Sequence, residues 1–264
     1  MMTPYHFIKT GHVDDVATIT LNRPEKLNAL TPALLRELGA ALDSAEVRCA
    51  RALLLTGDGR FFCAGADIQP DGAGYDGLPE DLGALLDAAY HPVMRKLAGL
   101  DIPVVCALNG PCAGAGLSLA LASDIVVMGD SGYLLLAFVN IGLVPDAGAT
   151  WLVARSAGRA RALEMALLGE RMGAAEALDA GLVTRVVPDG EVLPEAQGVA
   201  ARLAAGPTRA IGMIRKQVAV ALEQGFDAML DVERTNQSLA GRTQDFGEAI
   251  RAFAEKRKPD FKGR

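Results

Sequence analysis

Short extended segments and helical segments alternate along the first two thirds of the chain, and this alternation limits the fold more than any other feature. The stretches 16–21 and 51–56 have the apolar, partly β-branched composition of buried strands. Thr31 followed by Pro32 predicts a helix start, and the leucines after them fall on one helical face. Apolar helical stripes dominate the chain from residue 207 onward. The pattern predicts an α/β core, residues 1–200, followed by a C-terminal helical region, residues 201–264.

Composition narrows the class of protein further. Half of the 264 residues are hydrophobic, which is enough for one well-buried core. The net charge of -6 and the lack of a basic stripe argue against nucleic acid as the main ligand. The chain shows no apolar run of about 18 residues and no apolar leader in its first ten residues, so we expect a soluble, cytoplasmic protein.

The four cysteines and three histidines do not form a metal-binding pattern. The cysteines are scattered without a CxxC pair, and no histidine stands at ligand spacing. We therefore expect no metal, no cofactor and reduced thiols. Cys106 and Cys112 flank the most informative turn of the chain, where a cysteine in apolar surroundings is typically a small buried hydrophobe.

That turn joins a strand pattern to a helix pattern. PVVCALNG (103–110) is typical of a buried strand that ends in a turn, and GAGLSLALASD (114–124) is typical of a helix of small residues that begins at glycine. The first N–H groups of a helix lack partners within the helix, and its dipole is positive there, so such a start can hold a developing negative charge. A second glycine turn follows FFC at 61–63, and the Gly-, Pro- and Asp-rich stretch 69–79 is typical of a surface loop that gates a pocket.

Five segments in a fixed order carry a resemblance to a known family. They are LNRPEKLNAL (21–30), FCAGADI (62–68), ALNGPCAGAGLSLALASD (107–124), GLVPDAGAT (142–150) and GRARALEMALLGERMGAAEALDAGLV (158–183). With these segments the chain resembles the enoyl-CoA hydratase/isomerase (crotonase-like) family over nearly its whole length. The resemblance implies an α/β fold built as a spiral of ββα repeats, a C-terminal helical region for trimerisation, and a site for an acyl-CoA substrate.

The resemblance also implies a set of site residues. The oxyanion hole carries over to the backbone N–H groups of Ala66 and Ala115, and small residues beside them let the main chain approach a thioester carbonyl closely. Without the resemblance, the same glycines are equally explained by tight turns and close helix packing. The residues expected to contact coenzyme A or the acyl group are Lys26, Ala64, Asp67, Ile68, Gly114 and Phe138, with Arg23 or Lys256 as candidates for a phosphate.

The choice of reaction depends on which positions hold carboxylates. Hydratases of the family use two glutamates, and the matching positions here hold Ser118 and Phe138, neither of which is a carboxylate acid or base. A third position used by some members holds Asp146. An apolar pocket would raise the pKa of this carboxyl toward a useful range, although an Asp after Pro145 is also a good helix N-cap. The chain is thus similar to ring-epoxyphenylacetyl-CoA isomerases and enoyl-CoA isomerases of the family, which implies that Asp146 moves a proton.

Three other functions remain open at this stage. An atypical hydratase is one. An aromatic acyl-CoA dehalogenase is another, because the family's dehalogenases use an Asp and a His at the positions of Asp146 and His91, but Phe138 stands where they carry tryptophan. The third is an acyl-CoA binding protein without catalysis. The acyl group, the pathway (fatty acid or phenylacetate breakdown) and the choice between a homotrimer and a dimer of trimers stay undetermined.

Overall fold

A six-stranded sheet forms the centre of the structure, a computed structural model that describes residues 5–68 and 78–264. The strands of this sheet are β1 (Ile8–Val13), β2 (Val16–Leu21), β3 (Ala52–Gly57), β4 (Val104–Leu108), β6 (Ile125–Gly129) and β9 (Arg185–Val187), in the order β1-β2-β3-β4-β6-β9. β1 and β2 form an antiparallel hairpin, and the four following pairs are parallel. A smaller sheet contains β5 (Cys112–Ala113), β7 (Tyr133–Leu135) and β8 (Arg171–Gly173).

Helices surround the sheets and make up most of the C-terminal part. They are α1 (Pro32–Leu42), α2 (Ala45–Cys49), α3 (Leu82–Leu85), α4 (His91–Gly99), α5 (Ala115–Leu121), α6 (Ala149–Leu168), α7 (Ala174–Asp179), α8 (Val192–Ala204), α9 (Thr208–Ala221), α10 (Phe226–Ala240) and α11 (Gln244–Ala254). A π-helical turn, Leu86–Tyr90, joins α3 to α4, and 3₁₀ turns occur at Pro24–Lys26, Ala137–Ile141 and Asp189–Glu191. Across the described ranges, none of these helices has both the length and the apolar character needed to cross a lipid bilayer.

Local sequence signals explain where several elements begin. β2 has the predicted bounds, and β3 begins one residue later than the strand pattern indicates. The hydroxyl of Thr31 accepts a hydrogen bond of 3.1 Å from the N–H of Leu34, so Thr31 caps α1 as predicted. Pro92 lies in the first turn of α4, directly after the π-helical turn, so the helical hydrogen-bond pattern changes next to the proline, where a bend or a division of the helix is predicted.

The central sheet is covered on both faces, which explains its continuous apolar strands. All six residues of β3 are buried. On one face, β3 packs with α8 through a cluster that includes Leu54, Val105 and Val199, and on the other face Leu53 and Leu55 join a larger cluster with the leucines of α1. Parallel strands buried in this way have runs of apolar residues instead of an alternating pattern. The carboxyl ends of β3 and β4 lead into the two glycine turns singled out in the sequence.

The C-terminal helices follow the sheet without a structural gap. Residue 200 lies within α8, which packs across β3 and β4, and α9, α10 and α11 come after it. The boundary between residues 200 and 201 therefore stays a prediction from sequence. The end of the chain is tied to the core by Arg51, whose guanidinium donates to the carbonyl of Phe261 (3.1 Å) and to the hydroxyl of Thr208 (2.9 Å).

Candidate active site

The two glycine turns of the sequence lie side by side in the structure. Cys63 and Cys112 pair as an isolated parallel bridge, and the N–H of Ala113 donates to the carbonyl of Cys63 at 2.9 Å. The N–H of Gly114 donates to Leu135 at 2.9 Å, which ties the second turn to β7. Cys63 and Cys112, which are 49 positions apart in the chain, are thereby held next to each other. Each of these cysteines is soon followed by a glycine and by the alanine whose N–H group is predicted to form the oxyanion hole.

Gly65 and Gly114 make this close approach possible. Both have positive φ angles, +94° at Gly65 and +52° at Gly114. A Cβ atom added at Gly65 would lie 3.0 Å from the carbonyl oxygen of Ala113, and one added at Gly114 would lie 3.6 Å from the Cα atom of Gly65. Other L-residues disfavour such φ angles, and at Gly65 a side chain would also crowd the neighbouring backbone. Glycine at position 65 is therefore required by both conformation and space.

The N–H groups of Ala66 and Ala115 are the donors predicted to stabilise an oxyanion. Ala115 is the first residue of α5, where an N–H group has no partner inside the helix. Ala66 lies between Gly65, whose carbonyl accepts from Leu30 (2.7 Å), and Asp67, whose N–H donates to Leu30 (2.9 Å). Neither alanine N–H donates to a backbone carbonyl in the part of the chain that the structure describes. Both donors are thus unused by the fold, as an oxyanion hole requires, and their role stays a prediction.

Asp146 is the carboxylate of the candidate site, and its side chain is half-buried. Its Oδ1 atom is buried and has no hydrogen-bond partner among the described residues. Burial raises the pKa of the Asp146 carboxyl to about 6, and the positive charge of His91 acts in the opposite direction. The residue before α6 is Gly148, and no side chain caps this helix. The alternative in which Asp146 is an N-cap is therefore wrong, because its carboxylate does not bond to the start of α6.

The apolar residues near Asp146 differ in their burial. Leu143 and Val144, just before Asp146, are exposed. Phe138 is the buried aromatic residue of this region, and its Cζ atom lies 3.9 Å from the place where a Cβ atom of Gly114 would stand. The phenyl ring therefore borders the second glycine turn. A ring at this position gives the candidate site an apolar wall.

His91 and Asp87 extend the site beyond the residues predicted as catalytic. The Nδ1 atom of His91 lies 2.8 Å from Oδ1 of Asp87, four residues earlier. This pair spans the π-helical turn Leu86–Tyr90, and such turns are frequent at functional sites. From the sequence, His91 is a candidate only for a dehalogenase, and Asp87 is not a candidate for any role. The i,i+4 spacing of an Asp and a His is the signal that would have identified the pair.

Arg23 is not a phosphate ligand, which corrects one expectation from the sequence. Its side chain is buried, and Nη1 donates to the carbonyl of Ala29 (2.6 Å) and to Oδ2 of Asp67 (3.0 Å). Because a buried charge needs a partner, Arg23 and Asp67 form a structural ion pair under the first glycine turn. The carboxylate of Asp67 is thereby bonded to Arg23, so its predicted contact with coenzyme A is one through the main chain.

The other residues predicted to contact coenzyme A in this region lie in the first glycine turn or near it in the chain. Lys26 ends the 3₁₀ turn Pro24–Lys26 and is half-buried, Ala64 is half-buried with its N–H bonded to Leu27 (3.0 Å), and Ile68 is exposed. These contacts stay predictions, as does that of Lys256 with a phosphate. Most of the predicted gating loop, residues 69–77, lies outside the described residues.

The cysteines near the turns are buried thiols, as their apolar setting indicates. Cys63, Cys106 and Cys112 are buried. Burial raises the pKa of the Cys63 thiol to about 12 and also raises the pKa values of Cys106 and Cys112. A thiol that stays protonated is a poor nucleophile. These three cysteines are therefore poor candidates for a nucleophile of the site.

The raised pKa of Asp146 predicts a pH-dependent stability difference between the wild type and Asp146→Asn. The folded state binds the proton more tightly than the unfolded state, whose carboxyl has a pKa near 3.8, so ionisation destabilises the wild type as pH rises from about 4 to about 6. We expect the Asn variant to gain a few degrees in Tm relative to the wild type over this range, with a constant difference above it. Circular dichroism melts between pH 4.5 and 8 measure this. A difference that does not change with pH would mean that the carboxyl is solvated.

Comparison with known proteins places these features in a family context. The enoyl-CoA hydratase/isomerase family model matches residues 12–264. The 1,2-epoxyphenylacetyl-CoA isomerase of Escherichia coli (strain K12) is 43% identical over 259 residues, covering 96% of this chain and 98% of that protein. The 2,3-dehydroadipyl-CoA hydratase of the same strain is 36% identical over 250 residues, covering 94% and 96%. The crystal structure of an enoyl-CoA hydratase from Bacillus anthracis is similar with a TM-score of 0.90 and 31% identity, covering 98% of this chain and 100% of that one. The similarity confirms the predicted crotonase-like fold.

Proposed function

Because the chain belongs to the enoyl-CoA hydratase/isomerase family, we propose that it is a CoA-thioester isomerase in which Asp146 carries the proton. That it is an acyl-CoA enzyme of this family follows from the match over residues 12–264. The choice of isomerisation as the reaction goes further than the family match. It is supported by one observation above all, the buried Oδ1 atom of Asp146 without a hydrogen-bond partner among the described residues.

The proposed reaction needs one base and one oxyanion site. Asp146, as the carboxylate, accepts a proton from the carbon next to the thioester carbonyl, and the electron pair of the broken C–H bond forms an enolate. The N–H groups of Ala66 and Ala115 donate to the enolate oxygen. Asp146 then returns the proton to another carbon of the conjugated chain, so the double bond shifts without net oxidation or loss of a group. A pKa of about 6 suits both halves of this transfer near neutral pH.

The residues at the two other carboxylate positions argue against hydration. Ser118 is fully buried, and its hydroxyl is bonded to the main chain of Asp146. Phe138 is apolar. Addition of water to a double bond requires groups that orient and deprotonate the water. With Ser118 and Phe138 at the two glutamate positions, a single half-buried carboxylate favours movement of a proton within the acyl chain over addition of water.

The proposal predicts different behaviour with two substrates. With a 3-enoyl-CoA, we expect conversion to the 2-enoyl-CoA, followed at the absorbance of the conjugated thioester. With a 2-enoyl-CoA, we expect exchange of acyl-chain hydrogen with solvent and slow conversion back to the 3-enoyl-CoA. We expect no hydroxyacyl-CoA by mass spectrometry. Turnover should rise with pH through about 6, because Asp146 must be ionised to accept the proton. Rapid formation of 3-hydroxyacyl-CoA would contradict the choice of isomerase.

A specific observation keeps an aromatic acyl-CoA dehalogenase as the second candidate. The charge of His91 acts on the pKa of Asp146, so the Asp and His that this reaction uses lie within electrostatic range of each other. Phe138 stands where the dehalogenases of the family carry tryptophan, which favours the isomerase. Release of chloride from 4-chlorobenzoyl-CoA, measured with an ion-selective electrode, distinguishes the two functions.

The exposed apolar side chains of the last three helices support assembly into a homotrimer or a dimer of trimers. They are Ile214 and Val218 on α9, Phe226 and Leu230 on α10, and Phe246, Ile250 and Phe253 on α11. Phe253 is 85% exposed, and several large apolar side chains exposed on neighbouring helices are typical of a protein interface.

The proposed trimer predicts the effect of charges on α11. We expect the double variant Ile250→Asp, Phe253→Asp to lose the trimer and elute as a monomer, because each buried carboxylate would cost several kcal/mol. Size-exclusion chromatography with light scattering measures the mass. Gln244→Asp, an exposed polar position of the same helix, is the matched control and should leave the mass unchanged. A wild type that is monomeric at micromolar concentration would contradict the proposal.

A further inference from the structure

Ser118 makes a buried hydrogen bond that the proposed reaction does not yet use. The residue lies on α5 and is fully buried. Its hydroxyl donates to the carbonyl oxygen of Asp146 at 3.1 Å, across 28 positions of the chain. A buried hydroxyl without a partner is costly, so this bond is the arrangement that makes Ser118 tolerable inside the core.

The bond acts on a strained part of the main chain. Ala147, the next residue, has a φ of +49°, in the left-handed region that is unfavourable for residues other than glycine. The carbonyl of Asp146 also accepts from the N–H of Ala149 at 2.9 Å. One donor therefore comes from α6 and the other from α5. The bond from Ser118 is therefore the one that fixes the strained turn to α5.

The helix α5, which holds Ser118, also carries the predicted oxyanion donor Ala115. Ser118 lies three residues after Ala115, about one turn along the same helix, and α5 packs directly against α6. A short helix moves as a unit, so the bond joins the segment of the carboxylate to the segment of the N–H donor.

We propose that Ser118 is a positioning residue whose hydroxyl fixes the main chain of Asp146 to α5 and thereby holds the proton-transferring carboxylate in place relative to the Ala115 donor. The inference rests on the proposed isomerase function. It concerns geometry, and displacement of a reacting group by about 1 Å can cost up to 100-fold in rate. The role differs from general stabilisation because it predicts an effect on turnover at unchanged substrate affinity.

The test compares variants that differ only in the hydroxyl. Thr and Val have the same shape, so Ser118→Thr and Ser118→Val disturb the packing equally while only Thr keeps a donor. We expect Ser118→Val to have a kcat about tenfold below that of Ser118→Thr, with KM values within about twofold. Ser118→Ala, which leaves room and adds no bulk, should likewise lose about tenfold in kcat. Ser123→Ala is the control, because the Ser123 hydroxyl is buried without a hydrogen-bond partner within the described ranges.

A second readout separates this inference from the proposed function. Loss of the bond lets the turn relax and water reach the carboxyl, so the titration of Asp146 in Ser118→Ala should move toward lower pH. Carbon-detected NMR measures the titration of the Asp146 carboxyl without a substrate, and the variant Asp146→Asn identifies its signal. His91 also acts on the pKa of Asp146, and it is unchanged in this comparison. Equal kcat for the Thr and Val variants, or an unchanged titration in Ser118→Ala, would overturn the role of Ser118. An inactive wild type would overturn the isomerase proposal, while the NMR comparison would still decide the role of Ser118.

Discussion

The variant Asp146→Asn is expected to lose about 10³-fold in kcat while its affinity for a saturated acyl-CoA stays within about twofold of the wild type. The amide has nearly the shape of the carboxylate, so the pocket is preserved, but it cannot accept a proton. Since Oδ1 has no hydrogen-bond partner in the described structure, the substitution breaks no internal contact at that atom. Stopped-flow measurement of double-bond shift and calorimetric titration with hexanoyl-CoA separate turnover from binding.

Asp101→Asn is the matched control for this experiment. The side chain of Asp101 is 86% exposed and pairs with Lys216, so the same chemical change there should leave kcat unaltered. Turnover of Asp146→Asn within about threefold of the wild type would exclude the carboxylate from proton transfer. A parallel loss of binding would instead show that Asp146 supports the pocket and not the reaction.

The variant Ala115→Pro should lose about 100- to 1,000-fold in kcat/KM, because it removes one of the two proposed donors to the enolate oxygen. Proline is well tolerated at the first position of a helix, and Ala115 occupies that position in α5. The N–H of Ala115 donates to no backbone acceptor within residues 5–68 and 78–264, so its removal costs no bond of the fold. The assay is the isomerisation of 3-enoyl-CoA, with a melting curve to confirm folding.

Ala45→Pro provides the control for the backbone change. Ala45 is the exposed first residue of α2, and Ser44 before it has extended angles that suit a following proline. We expect this variant to keep full activity. Activity of Ala115→Pro equal to that of Ala45→Pro would mean that the N–H of Ala115 does not take part in the reaction.

The architecture was largely predictable because the signals that determine it are local. The strand β2, the Thr31 cap and the start of α5 each follow from a short run of residues. The resemblance added the order of the ββα repeats and the pairing of the two glycine turns, which no local pattern contains. The resemblance was therefore enough to identify Ala66 and Ala115 as the residues with the unused N–H groups. That their two turns lie next to each other depends on the tertiary fold.

The details of the site depend on contacts between residues far apart in the chain, and those were not predictable. Arg23 looks like a surface cation in the sequence, but Asp67, 44 residues later, buries it in an ion pair. Leu143 and Val144, the apolar residues that precede Asp146 in the chain, are exposed, so the burial of Asp146 could not be read from its neighbours in sequence. Ser118 was considered only as a missing carboxylate, since its hydrogen bond to the carbonyl of Asp146 exists only once α5 and α6 pack together.

The contact between Gly65 and Gly114 holds together the two loops that carry the proposed oxyanion donors, so these loops move as one unit. A methyl group at Gly65 would lie only 3.0 Å from the carbonyl oxygen of Ala113, so the distance between the two loops depends on a position that lacks a side chain. Effects of changes in the two loops should therefore not add: after the first loop has moved, a second change has little left to disturb. The substitutions that one loop tolerates then depend on the residues of the other loop, although the two loops are encoded about fifty codons apart.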